Sequence, residues 1–226
     1  MSSFGFRILP QPESRVADDI VAGFADIGTA QISDCMGRLY GAQGLDALHR
    51  NAARIVGRAV TVKTRPGDNL MIHKAIALAG PGDVIVVDGA GQLTNALVGE
   101  LMAMDAQSRG IVAFVIDGAV RDLDVFQQGD FGCFARGVSH KGPYKDGPGE
   151  INVPVSIGGQ VICAGDVIIG DADGVVAVPL ALAADVLAAA RKKESDEQLT
   201  KEKLRAGTYT KPWVDRTIAE KTGGAK

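Results

Sequence analysis

Two carboxylates and one guanidinium carry the chemistry that this sequence offers: Glu100, Arg121 and Asp122, with twenty residues between the first and the adjoining pair. Gly99-Glu100-Leu101-Met102 reads as a helix start, where backbone amides lack partners and a glycine lets an anionic ligand approach the main chain. Arg121 adds a permanently charged, forked donor suited to a carboxylate or a keto oxygen, where lysine would be only a point charge. Asp122 and Glu100 are hard oxygen ligands, too few for a closed calcium cage but suited to magnesium, which keeps several of its waters. Such an ion bridges the ketone and carboxylate oxygens of a 2-oxo acid, and as a Lewis acid it stabilises a developing enolate. The chemistry implied is making or breaking a bond beta to a carbonyl. The same residues have a plainer use, with Arg121 and Asp122 as a surface ion pair and Glu100 as a helix cap. Spacing alone leaves both open.

The elements that must position these groups lie between them. Residues 102–108 form a helical run that Arg109-Gly110 would stop, and the apolar run 111–116 is short enough for a buried strand, with Asp117-Gly118 as the turn after it. A helix start and a strand end are thereby brought side by side. Upstream, residues 14–27 carry apolar side chains at helical spacing with Ser14 as the cap, and residues 29–36 start a second helix. Residues 55–64 alternate and are rich in branched side chains, as a strand requires. Pro66-Gly67-Asp68-Asn69 is a turn, and residues 70–79 resume helical spacing, with His73 read as a structural residue. Gly82-Asp83 opens a buried strand over residues 84–89, and Gly165-Asp166 opens a similar one, so hairpin-like pieces are expected at both. Residues 139–154, rich in glycine and proline, form a long loop able to line a site. Residues 180–204 read as a helix that turns from alanine-rich to charged, and the tail from 207, with Pro212-Trp213, packs on a neighbour or frays.

Composition excludes several classes. At 226 residues with 46% apolar content the chain can bury a sizeable core. A net charge of −3 with no basic stripe argues against nucleic acid as the ligand. No apolar run reaches the roughly 20 residues of a membrane helix, and residues 1–10 lack a signal-peptide layout, so a cytoplasmic location without membrane contact is expected. Cys35, Cys133 and Cys163 read as free, buried thiols, and with His49, His73 and His140 scattered there is no zinc-ligand spacing.

The Glu100 to Arg121-Asp122 spacing, set within Gly99-Glu100-Leu101-Met102-Ala103 and Val115-Ile116-Asp117-Gly118-Ala119-Val120-Arg121-Asp122, resembles the motif of the class II 4-hydroxy-4-methyl-2-oxoglutarate/4-carboxy-4-hydroxy-2-oxoadipate aldolases. The likeness continues through Pro66-Gly67-Asp68-Asn69, Pro81-Gly82-Asp83, residues 139–142, Asn152-Val153-Pro154, Ala164-Gly165-Asp166-Val167 and Asp173-Gly174-Val175-Val176, covering residues 15–207 or so. The resemblance implies an α/β fold, an α-β-β-α sandwich of the swivelling, RraA-like kind. It implies one aldolase domain over residues 1–207, whose last helix, about 180–205, reaches a neighbouring subunit, followed by a tail at 208–226. Homotrimers pairing into hexamers, with sites between subunits, follow from the same likeness.

For the site, the resemblance implies that Asp122 binds Mg2+ directly, with Mn2+ or another divalent metal as a substitute. Glu100 would hold the metal through water, as would Glu197 of the adjacent subunit, with Glu194 one turn earlier as the fallback. Arg121 would contact the pyruvyl oxygen and stabilise the enolate, while amides at Gly99, Glu100, Leu101 and Met102 hold the pyruvyl carboxylate and a water near the metal relays the proton. Cleavage would give pyruvate and a second 2-oxo acid, and the same logic allows oxaloacetate decarboxylation. This route needs no Schiff base, and neither Lys74 nor Lys141 lies in an apolar pattern that would lower its pKa. One departure is local: many relatives carry an acid three residues after Asp122, where this chain has Val125, with Asp124 one residue early. Proteins resembling the regulator of ribonuclease E activity share the fold and bind a protein partner instead, which is one competing expectation; an aldolase or decarboxylase of another 2-oxo acid is the other.

Overall fold

Four strands in succession run parallel, and each is followed by a helix except the last; that arrangement decides where the site lies. The structure, a computed structural model, describes residues 5–223, so the first four residues of the stretch read for a signal peptide and the last three of the tail lie outside it. In chain order the elements are α1 (Asp18–Ala22), α2 (Thr29–Cys35), β1 (Asp46–Ala47), β2 (Ile55–Thr64), α3 (Leu70–Leu78), β3 (Asp83–Val98), α4 (Glu100–Ser108), β4 (Ala113–Val120) and α5 (Leu123–Gln128). They continue with β5 (Gly132–Val138), β6 (Gly149–Ile151), β7 (Val155–Ile157), β8 (Gln160–Ile162), β9 (Val167–Asp171), β10 (Gly174–Val178), α6 (Ala183–Arg205) and α7 (Pro212–Lys221).

The main sheet has the order β1-β5-β4-β3-β2-β9-β10, with β6 also on β2, while β7 and β8 pair separately. Strands β2 to β5 are mutually parallel neighbours. Right-handed crossovers between sequential neighbours place all their helices on one face. That face is a core in which Met71 and Ile76 of α3, Met102 and Ala106 of α4 and Phe126 of α5 cover Val62, Ile85, Phe114 and Ile116. The alternate residues of the same strands, Ala59, Val86, Val115 and Phe134, point the other way into an inner core shared with Ile168, Val175 and Ala177 of the β9-β10 hairpin and with Val155 and Ile162 of β7 and β8. The outer face of β9 and β10 packs under α1, α2 and the first turns of α6. The main sheet folds over on itself, so that helices, one strand layer, the opposite strand layer and helices follow one another, as the period-two alternation of the strands demands.

Several local expectations change. Asp117-Gly118 is not a turn but part of β4, where Asp117 lies opposite Asp88 and pairs with Arg136 of β5. The helix expected over residues 14–27 is only Asp18–Ala22, with Ala17 rather than Ser14 at its start. The cause is Arg58, whose guanidinium donates to the Val16 carbonyl at 2.9 and 2.6 Å and pairs with Asp18, holding the preceding chain extended. The strand read as 84–89 runs on to Val98 through a bulge in which Ala90 and Gly91 have positive φ. The two Gly-Asp turns share one hydrogen bond, from the Gly80 amide to Asp83 and from the Cys163 amide to Asp166, yet only β9-β10 is a hairpin, β3 being parallel to both neighbours. Cys133 is buried and Cys35 half-buried, but Cys163 is exposed.

The chain divides into two units, residues 1–190 and 191–226. The first holds all the strands. The second holds the charged end of α6, with i,i+4 ion pairs Lys192–Asp196 at 2.7 Å and Lys193–Glu197 at 3.5 Å, and then α7, which opens on Pro212 and leaves Trp213 and Ile218 exposed. Among the described residues no helix is long and apolar enough to cross a membrane.

Candidate active site

Ligands of parallel sheets sit beyond the carboxyl ends of the strands. Here the ends of β3 and β4 are in register, Val98 opposite Val120, and the Arg121 amide donates to the Val98 carbonyl at 3.0 Å. Gly99-Glu100 and Arg121-Asp122 therefore leave the sheet side by side. The twenty-residue interval in the sequence is the length of one helix, one turn and one strand, α4 out and β4 back.

The contacts are close. Asp122 takes a left-handed backbone (φ 59°, ψ 44°), a region that aspartate tolerates better than most residues and that recurs where a site over-determines the chain. This turns its side chain away from α5, whose first residue follows it, and toward α4: its Oδ2 accepts the Glu100 amide at 2.9 Å. Arg121 Nε lies 3.6 Å from the same oxygen, with both side chains about two-fifths exposed, so the pair adds little stability and stays open to a ligand. Gly99 has ordinary extended backbone, but a Cβ there would collide with the Asp122 carboxylate and sit 2.8 Å from Arg121 Cγ. The glycine is a cradle that a side chain would fill.

Arg121 separates two cavities. One, of about 460 Å³, is walled by Arg121, Asp122, Leu123, Val138, Ser139 and His140. The other, of about 240 Å³, is lined by Gly99, Leu101 and Met102 at the start of α4 and by Asn69, His73, Lys145 and Arg121. The loop expected over residues 139–154 supplies part of both walls, and it contains β6. It is tied to the strand ends by the Ser139 amide on Val120 O at 2.9 Å, the Ala96 amide on Lys141 O at 2.8 Å and Asn95 Nδ2 on Gly142 O at 2.6 Å.

The structure thus brings Gly99, Glu100, Leu101, Met102, Arg121 and Asp122 together. Glu197 and Glu194 lie on α6 in the second unit. Lys74 and Lys141 are exposed, as is Asp124 in the first turn of α5. Sequence reasoning missed Asn69 and Lys145, and it took His73 for a structural residue, whereas all three stand in the cavity wall. The signal for Asn69 was its place at the end of the Pro66-Gly67-Asp68-Asn69 turn. His73 is held below the usual histidine range, first by burial and then by Lys145, with Asp105 opposing.

Glu100, tied to Asp122 through its backbone amide, carries a second acid, and the Asp122 carboxylate beside the glycine cradle is a hard oxygen donor of the kind a divalent ion with an open coordination sphere takes. Among the described residues no three histidine, cysteine or acidic side chains converge to enclose one, so waters and substrate oxygens would complete the shell.

A sequence profile of RraA-like proteins, described as Aldolase/RraA, matches residues 29–177, which include Gly99 to Met102, Arg121, Asp122 and the walls of both cavities. The chain belongs to the RraA-like family. Among its relatives, a protein of Halalkalibacterium halodurans provisionally named 4-hydroxy-4-methyl-2-oxoglutarate aldolase is 40% identical over 186 residues, covering 82% of this chain and 88% of the relative. One of the same provisional name from Ectopseudomonas mendocina is 37% identical over 56% of this chain and 77% of the relative. Of solved structures, an uncharacterized protein from Pseudomonas syringae pv. tomato superposes with a TM-score of 0.79 at 29% identity, covering 87% of this chain and 96% of that one. The RNA-processing inhibitor RraA from Thermus thermophilis superposes with a TM-score of 0.63 at 30% identity, covering 68% of this chain and 93% of that one. The RraA-like fold expected from the sequence is therefore the fold observed, and the relatives' names agree with an aldolase role.

Proposed function

We propose that this protein is a divalent-metal-dependent pyruvate aldolase that cleaves 4-hydroxy-4-methyl-2-oxoglutarate or 4-carboxy-4-hydroxy-2-oxoadipate, with oxaloacetate decarboxylation as a second activity. The observation that carries this reading is the register of β3 and β4, which sets the α4 amide end, the Arg121 guanidinium and the Asp122 carboxylate around one glycine. Amides at the start of α4 receive the carboxylate of a 2-oxo acid. Arg121 donates to the adjoining keto oxygen, and because its charge is permanent it favours the enolate over the ketone. As the bond between C3 and C4 breaks, the C4 alcohol passes its proton to a water of the site, which can return it to C3, the alcohol becomes a carbonyl, and the electron pair moves onto the pyruvyl oxygen beside Arg121. Protonation at C3 then yields pyruvate.

Asp122 directly, and Glu100 and the adjacent subunit's Glu197 through water, would hold the ion. Magnesium, or manganese in its place, would supply Lewis-acid stabilisation of the enolate when bound. In this reading the working form is a homotrimer or hexamer in the cytoplasm, acting on small 2-oxo acids rather than on nucleic acid or membrane.

Comparing kcat/KM for pyruvate release from 4-hydroxy-4-methyl-2-oxoglutarate and from oxaloacetate tests the assignment. Release from the first establishes the aldolase. Release from oxaloacetate alone moves the activity to decarboxylase with the same site, and turnover of neither favours the protein-binding role that the likeness to the Thermus RraA structure raises.

A further inference from the structure

The cavity lined by Gly99, Leu101 and Met102 extends to residues that the pyruvyl half of a substrate leaves unused. Asn69 is only 2% exposed and its Nδ2 is committed to the Leu97 carbonyl at 2.9 Å and to Met102 Sδ at 3.3 Å, while its Oδ1 has no hydrogen-bond partner. A buried acceptor without a donor costs free energy unless a ligand brings one. An aldol brings one in its C4 alcohol. One turn along α3 stands His73, and across the cavity Lys145 presents an ammonium.

The Lys145 side chain is exposed, but the backbone that carries it is held on both sides. Asp68, fully buried, accepts the Asp146 and Gly147 amides at 2.8 and 2.9 Å and the Leu70 amide at 2.9 Å, while the Asn69 amide donates to Tyr144 O at 3.0 Å. The Pro66-Gly67-Asp68-Asn69 turn therefore clamps the backbone on both sides of Lys145 and supplies Asn69 to the same wall. Burial and Lys145 together hold His73 toward its neutral form, and the lysine and arginine side chains in this wall are Lys145 and Arg121.

We infer that this cavity is the subsite for the half of the substrate that departs as the second 2-oxo acid, with Lys145 binding its terminal carboxylate and Asn69 receiving the alcohol. The inference rests on the aldolase reading above. It assigns preference for a dicarboxylic aldol over one ending in an uncharged group to a residue outside the metal-binding pair. At about 240 Å³ the cavity lies below the roughly 300 Å³ where pockets for drug-sized ligands begin, in keeping with a small acid.

The test uses the full-length protein with magnesium and two substrates that differ only at one end: 4-hydroxy-4-methyl-2-oxoglutarate, and 4-hydroxy-4-methyl-2-oxopentanoate, in which a methyl replaces the terminal carboxylate. The quantity read is the ratio of their kcat/KM values. Wild type favours the dicarboxylate, Lys145→Met lowers the ratio roughly tenfold to a hundredfold, the loss expected of one charge-assisted hydrogen bond, and Lys145→Arg restores most of it. An unchanged ratio in Lys145→Met, with wild type active, overturns the subsite alone. If wild type cleaves neither compound, the aldolase reading fails and the subsite falls with it.

Discussion

A methyl group at position 99 has nowhere to go. The backbone there is extended, so alanine meets no conformational penalty, and the whole effect of Gly99→Ala is steric, against the Asp122 carboxylate and Arg121. A displacement on the order of 1 Å at a reacting centre costs about a hundredfold in rate. Gly99→Ala is expected to lose that much kcat while its thermal midpoint stays near wild type. Arg121→Lys keeps the charge but loses the fork, and kcat is expected to fall by roughly a hundredfold or more, since one donor aimed at developing negative charge carries about that much. His73 offers a check that needs no turnover. Its pKa is lowered first by burial and second by Lys145, so its NMR titration midpoint lies below the usual 6.5 and moves up in Lys145→Met. For a base with a depressed folded value, the linked contribution to stability is present above 6.5 and is lost as pH falls through the folded midpoint. A midpoint unmoved by the substitution would mean that Lys145 does not face this cavity.

Asp68 acts at the scale of elements, joining the end of β2, the start of α3 and the loop before β6 through one buried carboxylate. Asp68→Ala strands the Leu70, Asp146 and Gly147 amides without that acceptor and is expected to cost about 3 kcal/mol or more, measured by urea denaturation. This clamp was legible only as a turn, because its partners are some eighty residues away in sequence. Elements with a clean period were legible nearly to the residue: β2 by alternation, α3 by helical spacing, α2 by its start at Thr29. The errors came where a long-range group overrode a local signal. Arg58 takes the carbonyl that a helix over residues 14–27 would need, and the pairing of Asp117 with Arg136 keeps an Asp-Gly pair inside a strand. At the site, Glu100, Arg121 and Asp122 were legible because a fixed interval of helix and strand separates them. Asn69, His73 and Lys145 come from two distant segments with no such interval, and Asn69 is notable only once its unpaired oxygen is seen beside a cavity.

At the scale of the whole molecule, the first unit carries both strand ends and both cavities, while Glu197 lies in the second, on a helix whose outer residues are charged and whose Leu199 and Leu204 are exposed. If a neighbouring subunit supplies Glu197, mixing inactive Glu197→Ala and Arg121→Ala chains after dissociation and reassembly is expected to regenerate a fraction of wild-type activity, because some sites then draw both intact residues from different chains. Activity that stays at background would mean that each chain completes its own site. Whether Asp122 holds a metal that drives carbon-carbon cleavage beside Arg121 is decided by one measurement. It is the initial rate of pyruvate release from 4-hydroxy-4-methyl-2-oxoglutarate, with magnesium and after chelation, in wild type and in Asp122→Ala. Chelation is predicted to bring wild type to background, magnesium to restore it, and Asp122→Ala to stay at background in both. Release that persists through chelation, or that survives the loss of Asp122, would mean that cleavage does not depend on a metal held there.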